Sequence, residues 1–589
     1  MSKDLIIKFV TGRCVLFALS VILSVAALFL VVPATRAAVV QYGGYFFALS
    51  TTMLFLAWLA VAFLREHFSG SWKIASISLA CAATVIGSYV IFVHADFGYK
   101  IAMDDYVLAN TARNMHEDRQ VLTDVNLLLD HAGKQVAANT VIDKRLWLYP
   151  LYVSILHDCL GYSVFNSFLL NGILGGLLFL LAYAFGCLLS GAPAGFLTVL
   201  LFAGLPLVSQ IASGGGMELL GLVLLIVVML GAIAYLKQPS RLGEGVLVLA
   251  TVLLAYTRYE LALFIAPVAL IVLLGWLRSG QIQLSWATIL APLLLVAYGL
   301  HILDYLSQPS AWELTRGAET AFSWQYLITN FSHALAFFFA WDGDLANSPM
   351  LSVCGLIGLV AFPLVFKYRV AGQRFLDFRP VDLCLIVFAP FLILQFVLIL
   401  GFHASRLDSP FVSRYSLLFY WLLTLSSVVL MTHFARQFKS VWCYAIISST
   451  CFVLFYTMSV NANPPYSREN FVVNEDRWLG AFADEVAPSA LWIDRYLLTH
   501  TMREESSLGL NACLRSSDSI LGLVDDGVYE EIVYVERLLL NGQAYVPESL
   551  QARAMRDRFQ MEILAERSFR PYHLTRICRL VSLRGSVDE

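Results

Sequence analysis

The chain has 589 residues, 59% of them hydrophobic and only 14% charged, against roughly 25% charged in soluble domains, so a bilayer is the solvent for most of it. The net charge of −3 leaves no basic footprint and excludes nucleic acid as a partner. The ten cysteines form no Cys-x-x-Cys pair and no Cys/His cluster at metal spacing, and so point to neither zinc nor a disulfide framework.

Lys3, Lys8 and Arg13 precede an apolar run from Cys14 to Val32, the outline of a signal peptide but long enough to span, which predicts an uncleaved first helix. Further apolar windows follow at about 45–64, 74–93, 165–189, 193–211, 217–235, 244–257, 259–277, 285–304, 350–366, 381–401, 415–432 and 441–460. The expectation is a polytopic α-helical membrane protein of about 13 spans, the seventh of them short.

Cationic loops stay in the cytoplasm. With the N-terminus inside, that side holds Lys3, Lys8, Arg13, Arg65, Lys73, Lys237, Arg241, Arg278, Lys367, Arg369, Arg374, Arg379, Arg436 and Lys439. The short outer loops keep Arg36, Arg258, Arg316, Arg406 and Arg414. Three large polar segments, 95–162, 305–349 and 461–589, then face outward, which in a Gram-negative cell is the periplasm. The predicted division is a transmembrane domain over 1–460 and an extracytoplasmic domain over 461–589, whose short apolar runs between polar helical stretches read as α/β. Cys513 and Cys578, the only cysteines of that tail, could pair there.

Four places carry candidate chemistry. In the first outer loop, Asp104 and Asp105 are adjacent on one helix start and diverge by about 100°, so one could face a membrane-embedded cavity as a general base while the other meets solvent. The plainer alternative is that both cap a helix from Tyr106 to Glu117. Gly214-Gly215-Gly216-Met217-Glu218 sets a carboxylate beside flexible glycines at the mouth of the sixth span, suited to a sugar hydroxyl or a divalent cation, or simply to the helix dipole. Thr257-Arg258-Tyr259-Glu260 interrupts a long apolar stretch, where such charges face a polar cavity or each other. Arg414-Tyr415 opens the twelfth span, placing a phosphate-gripping guanidinium, or a snorkelling anchor, at headgroup depth.

In order and spacing, Asp104-Asp105-Tyr106 with Ala112-Arg113-Asn114, Leu148-Tyr149-Pro150-Leu151, Gly216-Met217-Glu218, Thr257-Arg258 and Arg414-Tyr415 resemble the GT-C superfamily. The likeness is to its polyprenyl-phosphate-sugar enzymes, the bacterial arabinofuranosyltransferases above all, and more distantly the lipid A aminoarabinose transferase and the protein O-mannosyltransferases. It implies an inverting transfer, with a pentofuranose as sugar, from a polyprenyl phosphate to a glycan, lipid-linked or protein (pilin-like) acceptor at the outer face of the bacterial inner membrane. Asp104 is the implied base, with Asp105 next in line; Arg414 and Arg258 are the implied phosphate contacts, and Glu218, Glu260, Tyr415 and Tyr149 line the substrate site. The sequence departs from that pattern in placing two extra spans before the acidic loop and in a long stretch from Val121 to Asp143.

Three other readings compete, one of them a scaffold or receptor with no chemistry, which leaves the paired Asp104 and Asp105 without an account. A secondary transporter calls for repeats and mid-span charges, whereas the charges here cluster at outer span ends. An oligosaccharyltransferase or ligase using a lipid diphosphate calls for more outer arginines. Through oxygen ligands, Asp104, Asp105 and Glu218 could also gather a divalent cation.

Overall fold

The computed structural model describes residues 3–65, 74–101, 103–129, 135–307, 318–369, 372–463, 470–486, 489–570 and 572–584. Lys73 and Arg316 of the charge pattern, and parts of the three long polar segments, lie outside them.

Every apolar window falls on helix, but the thirteen windows are not thirteen equal spans. Among the described residues, ten helices are long and apolar enough to cross a bilayer, from Gly12–Leu30 to Ser440–Ala462. Three windows differ. Ile77–Phe92 is a shorter apolar helix, and Arg241–Ala255 has fifteen residues. Ala192–Ala203 and Pro206–Ala212 form a broken pair bent by 74°. The break has a local cause: the first helix ends at Gly204, and Pro206, which has no N–H to donate, restarts the chain as the opening residue of the next.

The helix Ser413–Ala435 is the most enclosed of the ten. Pro349–Arg369 lies close along it because Gly355 and Gly358 carry no side chain. A Cβ at Gly358 would stand 2.5 Å from the Ser426 carbonyl oxygen, so only glycine permits this approach.

Among the described residues, the first polar loop and the tail together build one eight-stranded sheet. Its strands are β1 (Thr123–Leu129), β2 (Gln135–Val141), β3 (Leu491–Ile493), β4 (Ser507–Leu508), β5 (Ile532–Asn541), β6 (Ala544–Pro547), β7 (Phe559–Arg570) and β8 (His573–Leu583). They run β2-β1-β4-β3-β5-β8-β7, with β6 also paired to β5. β3 is parallel to both β4 and β5, and the other pairings are antiparallel. The first loop thus supplies two strands of the sheet, β1 and β2, which pair antiparallel and make up most of the long stretch from Val121 to Asp143.

The tail is also bound to the first loop by side chains. The Arg113 guanidinium donates to the Thr501 carbonyl at 2.7 Å, the Tyr162 hydroxyl to the Met502 carbonyl at 2.7 Å, and Arg477 grips both oxygens of Asp96 at 2.6 Å. Tyr99, Tyr106, Phe168, Leu498 and Met502 form an apolar cluster across the same junction. Cys513 and Cys578 do not pair; both are free thiols buried in the apolar core of the sheet with Leu510, Ile520 and Met555.

Candidate active site

The acidic pair opens the helix Asp104–Glu117. Met103 before it holds a positive φ of 75° and the helix start has no side-chain cap, so the capping alternative is not what the two aspartates do. Asp105 is buried, 1% exposed, and turns back on the preceding loop. Its Oδ2 accepts from the backbone N–H groups of Lys100 at 3.0 Å, Ile101 at 3.2 Å and Gly215 at 3.4 Å. Its Oδ1 has no hydrogen-bond partner among the described residues, and Asp105 lines a small cavity with Lys100, Gln210, Gly216, Glu218 and Arg414.

Asp104 points elsewhere, with its side chain 22% exposed. One oxygen accepts from Arg145 and the other from Arg414. Burial opposes its charge, but Arg414 and Arg145 outweigh burial and hold its carboxyl well below the usual carboxylate range. Asp105 goes the other way: burial, and then the Glu218 carboxylate, push it up to about 7. Adjacent residues of one type thus have opposite acid–base character, the condition under which two carboxylates take separate roles.

Arg414 and Arg258 tie the cluster together. Arg414 reaches Glu218 at 3.2 Å as well as Asp104, and Arg258 reaches the same Glu218 oxygen at 3.3 Å and Glu260 at 2.6 Å. Both guanidinium groups lie over the ring of Tyr415, at 5.1 and 4.8 Å, a cation–π arrangement that fixes their planes. Glu218 starts the helix Glu218–Lys237 and is 2% exposed, and its Oε2, near Oδ1 of Asp105, has no hydrogen-bond partner among the described residues. A Cβ at Gly216 would stand 2.5 Å from that Oε2 and 3.3 Å from that Oδ1, so the missing side chain is what lets the two carboxylates converge. Asn171 holds the glycine turn in place, donating to the carbonyls of Gly214 at 2.8 Å and Gly216 at 2.9 Å.

Seven of the eight residues singled out from sequence, Asp104, Asp105, Glu218, Arg258, Glu260, Arg414 and Tyr415, meet in this cluster. The eighth, Tyr149, is fully buried and its hydroxyl donates to the Ser167 carbonyl at 2.9 Å. Two further residues join them that sequence reasoning passed over. Arg145 is anchored by Asp143 at 2.7 Å, and Lys100 lines the cavity with its ammonium lowered by burial to about 8. The signal for Lys100 was its place in a mostly apolar stretch four residues before the acidic pair. Among the described residues, no group of three or more His, Cys, Asp or Glu is placed to hold a metal ion. Asp104, one of the three carboxylates considered for that task, has an arginine on each oxygen.

No protein-family model matches the sequence, and no curated protein matches it. Solved structures do. ArnT from Cupriavidus metallidurans bound to undecaprenyl phosphate superposes with a TM-score of 0.52 at 11% identity, covering 86% of this chain and 98% of that one. The apo state of the same protein gives 0.51 at 12% identity over the same shares. The oligosaccharyltransferase of Archaeoglobus fulgidus in complex with zinc and sulfate gives 0.45 at 9% identity over 77% of this chain and 67% of that one, too loose a likeness to reason from. Nearly the whole of the ArnT chain is matched. The chain therefore shares the polytopic helical fold of that ArnT structure and carries a C-terminal sheet domain.

Proposed function

We propose that the protein is an inverting glycosyltransferase that takes a sugar from a polyprenyl phosphate and passes it to a hydroxyl of a glycan or protein acceptor at the outer face of the bacterial inner membrane. The observation that carries this reading is the shared guanidinium of Arg414, buried between Asp104 and Glu218 beside a free carboxylate oxygen of Asp105. A planar cation at the head of a span is the group that grips a phosphate at headgroup depth, and a carboxylate within its reach is the base a hydroxyl acceptor needs. The fold shared with a protein that binds undecaprenyl phosphate supports the same donor class. On the sequence resemblance, the sugar is a pentofuranose.

In the proposed step the acceptor oxygen bonds to the anomeric carbon and gives its proton to a carboxylate. The bond from that carbon to the phosphate oxygen breaks, and the lipid phosphate leaves with the electron pair as an anion. Asp104 is the base in this reading. Its two arginines depress its basicity, and an entering phosphate competes for Arg414. Each hydrogen bond that Arg414 moves to phosphate is withdrawn from Asp104, so donor binding makes the base stronger. A second reading makes Asp105 the base, on its free Oδ1 and its carboxyl near 7.

The two readings separate on Asn variants assayed across pH with an extract of polyprenyl-phosphate sugars. With Asp104 as base, Asp104→Asn lowers transfer about 10²-fold or more, the usual scale for losing a general base, while Asp105→Asn is milder. With Asp105 as base the order reverses, and the wild-type rate climbs through about pH 7. Arg414→Ala removes a charged contact to phosphate and weakens undecaprenyl phosphate binding about tenfold or more. Wild-type transfer in both Asn variants, or unchanged lipid affinity in the Ala variant, rules the mechanism out.

A further inference from the structure

Tyr106, one residue beyond Asp105, turns about 100° away on the helix and lines a second cavity, of about 190 Å³, under the sheet. Phe411 lines it too, and Pro410 just before it lines the cavity of Asp105. The same two pieces of chain therefore form the wall between the cavities. The other walls come from the tail, where Phe471 and Phe569 supply apolar faces and Glu475, Asp476 and Glu548 supply oxygens.

Each of those carboxylates is held by an arginine: Glu475 by Arg537 at 2.7 Å, Asp476 by Arg503 at 2.8 Å and Glu548 by Arg495 at 2.7 Å. Arg503 and Arg495 do not line the cavity; they hold the carboxylates in fixed positions from outside it. Arg537 does line it, but its guanidinium is committed to Glu475 and, at 2.5 Å, to Asp494, and it lies 4.6 Å over the Tyr496 ring. The lining therefore carries three carboxylates and several aromatic faces against one guanidinium, that of Arg537, and the imidazole of His573.

Ligand chemistry follows from that lining. Carboxylates accept from neighbouring hydroxyls, two oxygens at a time, and ring C–H faces pack against aromatic ones. With three carboxylates lining it against one guanidinium, the cavity repels an entering phosphate or carboxylate more than a neutral sugar. We propose that this cavity seats the acceptor, as a neutral polyhydroxylated sugar unit, and turns away phosphorylated and carboxylated ones. The word acceptor rests on the transfer reading above; the binding of a neutral sugar does not.

The test is saturation-transfer NMR on the full-length protein in lipid nanodiscs, with neutral methyl glycosides as probes and glucose 6-phosphate and glucuronate as their anionic counterparts. The neutral glycosides are expected to receive saturation and the anionic sugars not to compete. Phe569→Ala and Glu548→Gln are expected to cut the signal about fivefold, the loss of one net contact of about 1 kcal/mol. Asp104→Asn, in the other site, leaves it intact. Glu548→Gln keeps shape and size, so it decides the matter should the Phe569 variant melt early. No saturation on any neutral probe, equal binding of the phosphorylated sugar, or a signal that survives Glu548→Gln would overturn the proposal. Sugar binding without transfer from any polyprenyl donor would sink the enzyme reading and leave this site standing.

Discussion

Between about pH 4 and 7 the folded chain keeps a proton on Asp105 that the unfolded chain has already lost, because burial and Glu218 raise its carboxyl to about 7. The folded state then binds more protons than the unfolded one, so this residue's contribution to stability falls as pH rises through that window. Asp105→Asn removes the penalty. The Asn oxygen still accepts from Lys100 and Ile101, and its amide can donate towards the unpartnered Glu218 oxygen. The variant is expected to melt above wild type at pH 8, by about 1 kcal/mol or more of stability, with the gap closing towards pH 4; equal melting at both ends would refute it. At this scale the sequence was informative where a charge interrupts an apolar run, as at Glu218, Arg258 and Arg414, because such a charge is too costly to bury without partners. It was uninformative at Arg145. Asp143-Lys144-Arg145 reads as a solvated charge run, and only the tertiary fold turns its guanidinium onto Asp104, which lies 41 residues away in the chain.

Among the elements, the glycine turn at 214–216 makes the sharpest prediction. Adding a methyl at Gly216 displaces the Glu218 carboxylate or Asp105, since both stand within contact of the new atom. Gly216→Ala is therefore expected to lose transfer by about tenfold or more, the cost of misplacing a reacting group, while remaining folded and correctly inserted. Activity near wild type would show that convergence of the two carboxylates is dispensable. Helices were legible because twenty apolar residues have few other options in a bilayer. Their continuity was less so: the 74° break depends on how Gly204 and Pro206 act together, which hydropathy does not register. The hairpin of β1 and β2 escaped for a different reason. β1 and β2 pair mainly with each other, but their mixed polar sequences, TDVNLLL and QVAANTV, carry little apolar alternation to read, and β1 meets β4 only where Leu127 pairs with Ser507.

For the molecule as a whole, orientation rests on the Lys and Arg pattern, which predicts the N-terminus inside and the sheet outside. A reporter that is active only in the cytoplasm, fused after Glu589, is expected to stay silent; activity would invert every placement of the site. The sheet also joins distant parts of the chain. Leu127 of β1 pairs with Ser507 of β4, Asn126 accepts from the Gly509 N–H at 3.1 Å, and the Tyr529 hydroxyl accepts from the Leu129 N–H at 2.9 Å. During synthesis the hairpin is made early, and its β4 neighbour follows only after nearly four hundred more residues. For that interval one edge of β1 is an open template, the kind that recruits wrong partners. Assembly of the first loop is therefore timed by the arrival of the last segment, and a ribosome that stops short of β4 leaves behind a chain with its spans in place and a bare strand edge.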